Sequence, residues 1–190
     1  TSSAASDVYK RQVDGTDSLA AAYQYTMNLN TSFTGDDNLY VRLRSGNGSG
    51  NFTTKTFGTY LSMGTGYADA LKVDKIWYTF PVGEYTLAVG ESMDASKTWP
   101  NTCSMNNMVD NLGDCGAANS VDLSGDVSFS TSREFGDGWE VGIGVSANDG
   151  ETSKGIFTEE GADYYGVALF FETDNYGFTV AYSDKESASY

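Results

Sequence analysis

The chain has 190 residues, with 26 Asp and Glu against 11 Lys and Arg, so its formal net charge is −15. This acidic balance argues against nucleic-acid binding, which needs a basic surface. Histidine is absent, which removes His-based triads and the commonest transition-metal ligand. We therefore expect no catalysis, no cofactor and no metal site.

The N-terminal residues differ in pattern from the rest of the chain. Residues 1–12 show no strand alternation and lack the apolar core of a signal peptide. Residues 6–12, SDVYKRQ, look like the translated sequencing-adaptor remnant found at the ends of metagenome or transcriptome contigs. We interpret residues 1–16 as a non-native or disordered leader and residues 17–190 as the folded part of the chain.

The first folded elements are two alternating segments, residues 19–33 and 39–44, on either side of a polar turn at residues 34–37. Odd positions in both segments are mostly apolar, and even positions carry mostly small or polar side chains. Such alternation predicts strands with one wet and one dry face. The first segment spans roughly 15 residues, longer than a typical soluble strand and long enough for the wall of an outer-membrane barrel.

Six further segments follow the same pattern, at residues 71–80, 85–89, 121–129, 139–147, 165–171 and 178–182. Short turns and long loops alternate strictly between the strands, as in outer-membrane barrels with tight periplasmic turns and long outer loops. Aromatic residues lie beside the short turns, which is typical of a girdle at the membrane interface; they are Phe33, Phe80, Tyr85, Phe135, Trp139, Phe171 and Tyr176. We predict an all-β antiparallel meander of about eight strands, part of a transmembrane β-barrel.

The orientation of the short turns predicts where the loops lie. If the turn at residues 34–37 is periplasmic, the preceding strand descends from outside, so at least one strand is expected upstream. The loop at residues 94–120 is then the third outer loop, which in general porins folds inward and narrows the channel. It carries Cys103 and Cys115, which we interpret as a constriction-loop disulfide formed in an oxidising compartment. Two free thiols are the alternative.

Two stretches resemble a known family. LNTSFTGDDNLYVRLRSGN at residues 29–47 and VDKIWYTFPVGEYTLAVGE at residues 73–91 resemble the opening barrel segments of cyanobacterial porins related to the carbohydrate-selective porin family. The resemblance implies a barrel of 16 strands, preceded by a periplasmic domain that binds the cell wall. It also implies a passive channel for small solutes, inorganic ions included. The segment with the two cysteines is not part of this pattern.

The candidate pore-lining residues are those on the wet positions of the strands. Arg42 and Arg44 alternate with apolar residues, so they are expected to face the lumen and to bias ion selectivity or contact sugar hydroxyls. The alternative is that they pair with lumenal acids and hold the wall. The same wet face is expected to include Gln24, Asn28, Tyr40 and Glu140.

The sequence thus favours an outer-membrane porin fragment, a passive channel for small hydrophilic solutes and ions, located in the outer membrane of a Gram-negative-type bacterium. The expected partners are outer-membrane lipid, lipopolysaccharide, small solutes or ions and two further copies in a homotrimer. One alternative is a secreted, soluble all-β module that binds carbohydrate or acts as an adhesin. Another is a complete eight-stranded barrel, which requires the first and last strands to pair.

Overall fold

A computed structural model describes residues 23–47, 69–100, 123–159 and 161–186, together with residues 55–56, 59–60, 67 and 121. The leader at residues 1–16 and the two cysteines, Cys103 and Cys115, lie outside the described residues. The strands are β1 (Gln24–Thr31), β2 (Asn38–Gly46), β3 (Lys55–Thr56), β4 (Thr59–Tyr60), β5 (Lys72–Val82), β6 (Tyr85–Glu91), β7 (Val127–Phe135), β8 (Trp139–Asn148), β9 (Ala162–Glu172) and β10 (Gly177–Lys185).

Eight of these strands form one open antiparallel sheet in the order β1-β2-β5-β6-β7-β8-β9-β10. The remaining two, β3 and β4, pair only with each other. Strands of the large sheet follow one another in chain order, so the predicted all-β meander of eight strands is confirmed. Its first and last strands, β1 and β10, are not neighbours in this order, which argues against the complete eight-stranded barrel. In the described part of the chain, no helix has the length and apolar character needed to cross a membrane.

The chain divides into two compact units. The first consists of Thr1–Asn28 and Arg42–Asp74, and the second of Leu29–Val41 and Lys75–Tyr190. In the first unit, a group of charged and hydroxyl side chains surrounds Asp74. The second unit contains β6 to β10 in full. Its buried core is a cluster in which Trp99 and Leu123 pack on Phe170 and Ala168.

The short connection between β1 and β2 is closed around a single carboxylate. Asp37 is only 7% exposed, and it accepts hydrogen bonds from the hydroxyls of Ser32 and Thr34 and from the backbone N–H groups of Phe33 and Thr34. The Tyr78 hydroxyl donates a further one at 2.5 Å. The hydroxyls of Ser32 and Tyr78 and the N–H of Thr34 hold the pKa of the Asp37 carboxyl well below its usual range. The predicted polar turn is therefore a loop in which hydroxyl and backbone N–H groups converge on the carboxylate of Asp37.

The predicted start of β7, the fifth strand of the large sheet, was wrong. The alternation suggested a strand from residue 121, but β7 begins at Val127. Leu123 instead lies beside residues 94 and 95, because its carbonyl accepts a hydrogen bond from the N–H of Ala95 at 3.2 Å and Ser124 forms an isolated bridge with Asp94. The side chain of Leu123 is fully buried in the core. Its apolar character therefore reflects burial in the core and not strand alternation.

Candidate functional site

The sheet formed by β6, β7, β8 and β9 has one face made of large apolar side chains. The antiparallel register pairs Val89 with Phe129 and Ile143 with Val167, at alternate positions on this face. These side chains are exposed: Ile143 has 48% and Val167 44% of its surface accessible. We call this the apolar face. It is the face of the sheet on which large hydrophobic groups meet the surroundings of the protein.

Aromatic clusters lie beside the short connections, as the sequence predicted. Trp139, at the start of β8, contacts Phe171 with ring centroids 4.7 Å apart and Phe178 with centroids 5.7 Å apart. Phe135 stacks on Trp139, and Tyr176 lies against Phe171. Aromatic rings of this kind are enriched where a membrane meets water.

The opposite face of the same four strands carries mostly small side chains. We call it the small-residue face, and it comprises Ala88, Gly90, Ser128, Ser130, Ser132, Gly142, Gly144, Ser146, Gly166 and Ala168. These residues occupy alternate strand positions, because successive side chains of a strand point to opposite faces. All four serines are buried. Another part of the chain therefore covers these serines, and it belongs to the described residues.

Residues 93–99, which follow β6, lie across the small-residue face, and we call them the docked segment. Serine hydroxyls of this face form hydrogen bonds with the backbone of the docked segment near both of its ends. Ser128 donates to the carbonyl of Met93 at 2.6 Å, and Ser132 donates to the carbonyl of Thr98 at 2.9 Å. Ser130 accepts from the N–H of Thr98 at 3.1 Å. These hydrogen bonds satisfy backbone groups that the sheet itself does not pair.

Trp99 anchors the end of the docked segment. Only 6% of its surface is exposed, and its ring meets that of Phe170 edge to face with centroids 6.1 Å apart. The indole lies directly on two glycines: a Cβ atom on Gly142 would overlap the ring, and one on Gly166 would come within 3.1 Å of it. A Cβ on Gly144 would overlap the carbonyl of Ala95. The small residues are therefore needed for the segment to approach the sheet this closely.

Tyr40, one of the predicted pore-lining residues, belongs to an aromatic stack. Its ring lies on that of Trp77 with centroids 3.9 Å apart and an interplanar angle of 21°. The ammonium group of Lys97, in the docked segment, lies 4.8 Å from the centre of the same indole. A cation over an aromatic face is attracted by about 0.5–2 kcal/mol. This contact adds to the serine hydrogen bonds that hold the docked segment.

Arg42 and Arg44, the two predicted guanidinium groups, both lie against one acid. Arg42 pairs with Asp74, and the Nε of Arg44 is 3.4 Å from the same carboxylate oxygen. The two arginines are therefore held by a carboxylate, as the alternative interpretation of the sequence supposed. The sequence did not indicate which acid this would be.

The other predicted pore-lining residues lie on strands. Gln24, half-buried, and Asn28, exposed, both lie in β1. Glu140 lies in β8, half-buried and opposite Glu134 and Phe170 in the register. By strand alternation it shares a face with Gly142 of the small-residue face. That these residues line a pore stays a prediction, as does the disulfide between the two cysteines.

One acidic group has spacing compatible with a cation. Asp126, Asp149 and Glu151 each place a carboxylate oxygen within 4.8 Å of the others. The Nζ of Lys154 contacts Asp149 at 2.6 Å, which already supplies a positive charge to the group. Exposed acids gather in this way without binding metal, so we assign no metal site.

Sequence reasoning missed the docked segment and its serine contacts. The available signal was the run of serines at residues 128, 130 and 132 opposite glycines at residues 142 and 144, all on even positions. Such a stripe of small side chains indicates that another part of the chain approaches closely. Comparison with protein-family models, curated proteins and solved structures finds no match for this chain.

Proposed function

We propose that this chain forms part of the wall of an outer-membrane porin, a passive channel for small hydrophilic solutes and ions. The observation that carries this proposal is the distribution of side chains over the sheet. Large apolar groups are exposed on one face, and small, partly polar residues are buried beneath the docked segment on the other. A water-soluble sheet ordinarily buries its apolar face. A barrel wall instead turns that face to lipid.

The length and the ends of the strands support the same function. Strands β5, β8, β9 and β10 each have 9 to 11 residues. A strand that crosses a bilayer at a tilt needs roughly 9–11 residues. The aromatic cluster around Trp139 lies beside short connections, where a periplasmic interface would be. Short and long connections alternate along the described strands.

The edges of the sheet call for further strands. A strand edge exposed to hydrocarbon would leave backbone N–H and C=O groups unpaired, each at a cost of several kcal/mol. We therefore propose that β1 and β10 pair with additional strands of a larger barrel, of the 16-stranded kind that the resemblance implies. Lipid and lipopolysaccharide would then contact the apolar face. Assembly into a homotrimer stays a prediction.

The docked segment gives the proposed channel its constriction. In a closed wall the small-residue face is the inner one, so residues 93–99 would occupy part of the lumen. Buried serine hydroxyls and the Trp99 anchor fix their position, which suits a rigid narrowing more than a mobile loop. That the third outer loop, residues 94–120, folds inward and narrows the channel stays part of this proposal.

Reconstitution tests this proposal directly. The product of the intact gene is refolded from detergent into planar lipid bilayers, and the current is recorded in potassium chloride. We expect stepwise conductance increases and a protein that requires detergent to remain dispersed. A product that folds as a monomer in buffer alone and gives no conductance would overturn the porin and favour the soluble carbohydrate-binding or adhesin-like module.

A further inference from the structure

The cluster around Asp74 is more than a pair of opposite charges. Arg42 donates from Nε to Oδ2 of Asp74 at 2.5 Å, and its Nη2 also contacts this oxygen. The Nε of Arg44 lies 3.4 Å from the same oxygen. The hydroxyl of Tyr67 donates to the other oxygen, Oδ1, at 2.7 Å. One carboxylate therefore serves two guanidinium groups and a phenol.

Tyr67 reinforces this arrangement without contributing charge. The phenol is protonated and able to donate at neutral pH, and its hydrogen bond to Asp74 raises the pKa of the phenol further. Because Oδ1 is engaged by this donor and Oδ2 by Arg42, little acceptor capacity is left for Arg44. Among the described residues of this group, two positive charges face a single negative one, so their sum is one positive charge.

Arg44 shows the consequence of this imbalance. Its Nε–H is buried and makes no hydrogen bond to any residue in the described part of the chain. A buried donor without an acceptor carries a desolvation cost of about 1–3 kcal/mol, and more when charged. In native proteins such a group indicates an acceptor that the protein does not itself supply, such as a water or an ion. Although the Nε of Arg44 is itself buried, the Arg42 and Arg44 side chains as a whole retain 17% and 27% exposure, so a small solute can reach part of each.

We propose that Arg42 and Arg44 form a binding point for small inorganic anions on the wet face of β2, with Asp74 as the residue that positions both guanidinium groups. This inference rests on the proposed channel, of which it names one class of solute. Guanidinium groups are always charged, weakly hydrated donors that suit chloride and oxyanions. The chain carries a net charge of −15, so this positive point is a local exception in an acidic protein.

Reversal potentials across a potassium chloride gradient measure the effect of this site. A unit charge about 10 Å from the ion path changes the ratio of chloride to potassium permeability by about two- to fourfold, depending on screening. Arg44→Gln should lower this ratio by that factor, and Arg44→Lys, which keeps the charge, should largely preserve it. Asp74→Asn removes the negative charge but keeps an oxygen that can accept from the guanidinium groups and hold them in place, so it should raise the ratio.

Arg133→Gln is the matched control. Arg133 pairs with Glu84 beside the short connection of β5 and β6 and lies over the ring of Tyr85, so the same loss of charge occurs away from the proposed lumen. We expect no change of the permeability ratio in this variant.

The outcomes separate this inference from the proposed function. A conducting channel whose permeability ratio is the same in Arg44→Gln as in the unaltered protein would overturn the anion site alone. Equal shifts in Arg44→Gln and Arg133→Gln would also overturn it. If Arg44→Gln does not insert into the bilayer, Asp74→Asn takes its place: a higher chloride-to-potassium permeability ratio supports the anion site, and an unchanged or lower ratio overturns it. Absence of conductance in the unaltered protein would overturn the channel, and the site with it.

Discussion

Replacement of Trp99 by alanine is the sharpest perturbation of the docked segment. The indole is 94% buried, from an exposure of 6%, and it packs on Phe170 and on two glycines of the small-residue face. Truncation of a buried Trp to Ala costs about 3–5 kcal/mol, because transfer free energy is lost and a cavity remains. The three atoms nearest to a Cβ on Gly142 all belong to Trp99, whereas a Cβ on Gly166 would meet both Leu123 and Trp99.

Hydrogen exchange measures this loss locally. The N–H of Thr98 is bonded to Ser130 of β7, and that of Ala95 to the carbonyl of Leu123. The Thr98 amide therefore exchanges when the segment leaves the sheet, and the Ala95 amide when the segment separates from Leu123. A cost of about 3 kcal/mol corresponds to roughly 10²-fold faster exchange, at a factor of ten for each 1.4 kcal/mol. We expect at least this acceleration in Trp99→Ala, measured in detergent micelles.

Trp139→Ala is the control for this experiment. It makes the same chemical change within the aromatic cluster of the apolar face, away from the docked segment. We expect the exchange of the Thr98 and Ala95 amides to stay within a fewfold of the unaltered rate. If Trp99→Ala leaves these amides as protected as Trp139→Ala does, the segment is not held by its tryptophan and the reasoning fails.

Three further predictions concern single contacts. Gly144→Ala should displace the docked segment at a cost of about 1–3 kcal/mol, because the added Cβ overlaps the backbone carbonyl of Ala95. Val145→Ala should leave amide exchange in the segment unchanged, and equal exchange rates in the two variants would contradict this prediction. Ser130→Ala should weaken docking by about 0.5–1.5 kcal/mol, while Ser183→Ala, opposite Gly166 in the register, should have no effect on the same amides. Because the pKa of Asp37 is lowered in the folded protein, its carboxylate stabilises the fold at pH values above the ordinary Asp pKa of about 3.9, and this stabilisation is lost as the pH falls below that value. The melting temperature should therefore fall between pH 6 and pH 2, and it should fall less in Asp37→Asn. Parallel curves of melting temperature against pH for the two proteins would contradict this prediction.

The eight strands were predictable because alternation is a local property of the sequence. The face on which Ile143 or Val167 lies can be predicted from the residues two positions away in the sequence, which are on the same face of the strand. The short connections were predictable for the same reason, since Gly83 and Gly136 adopt positive φ angles of 62° and 63° within them, which glycine allows at little cost.

The docked segment was not predictable in this way, because its contacts join distant parts of the chain. Ser128 and Met93 are 35 residues apart, and Ser130 and Thr98 are 32 apart. Leu123 obeys the alternation of a strand, yet it lies outside β7 in the buried core. Likewise, alternation placed the two arginines on one face, but only the fold selects Asp74 as their shared partner.

The central claim, that the apolar face meets lipid, is tested most directly by Ile143→Arg. Ile143 lies near the middle of β8 and is already 48% exposed. In a membrane barrel, an arginine on the lipid face near the midplane costs about 2–4 kcal/mol of folding free energy. On a water-exposed sheet, a surface substitution ordinarily changes stability by no more than about 0.5 kcal/mol. Denaturant titration of the protein in lipid vesicles measures the difference. A loss of at least about 2 kcal/mol is the result expected of a barrel wall, and a variant as stable as the unaltered protein would contradict it.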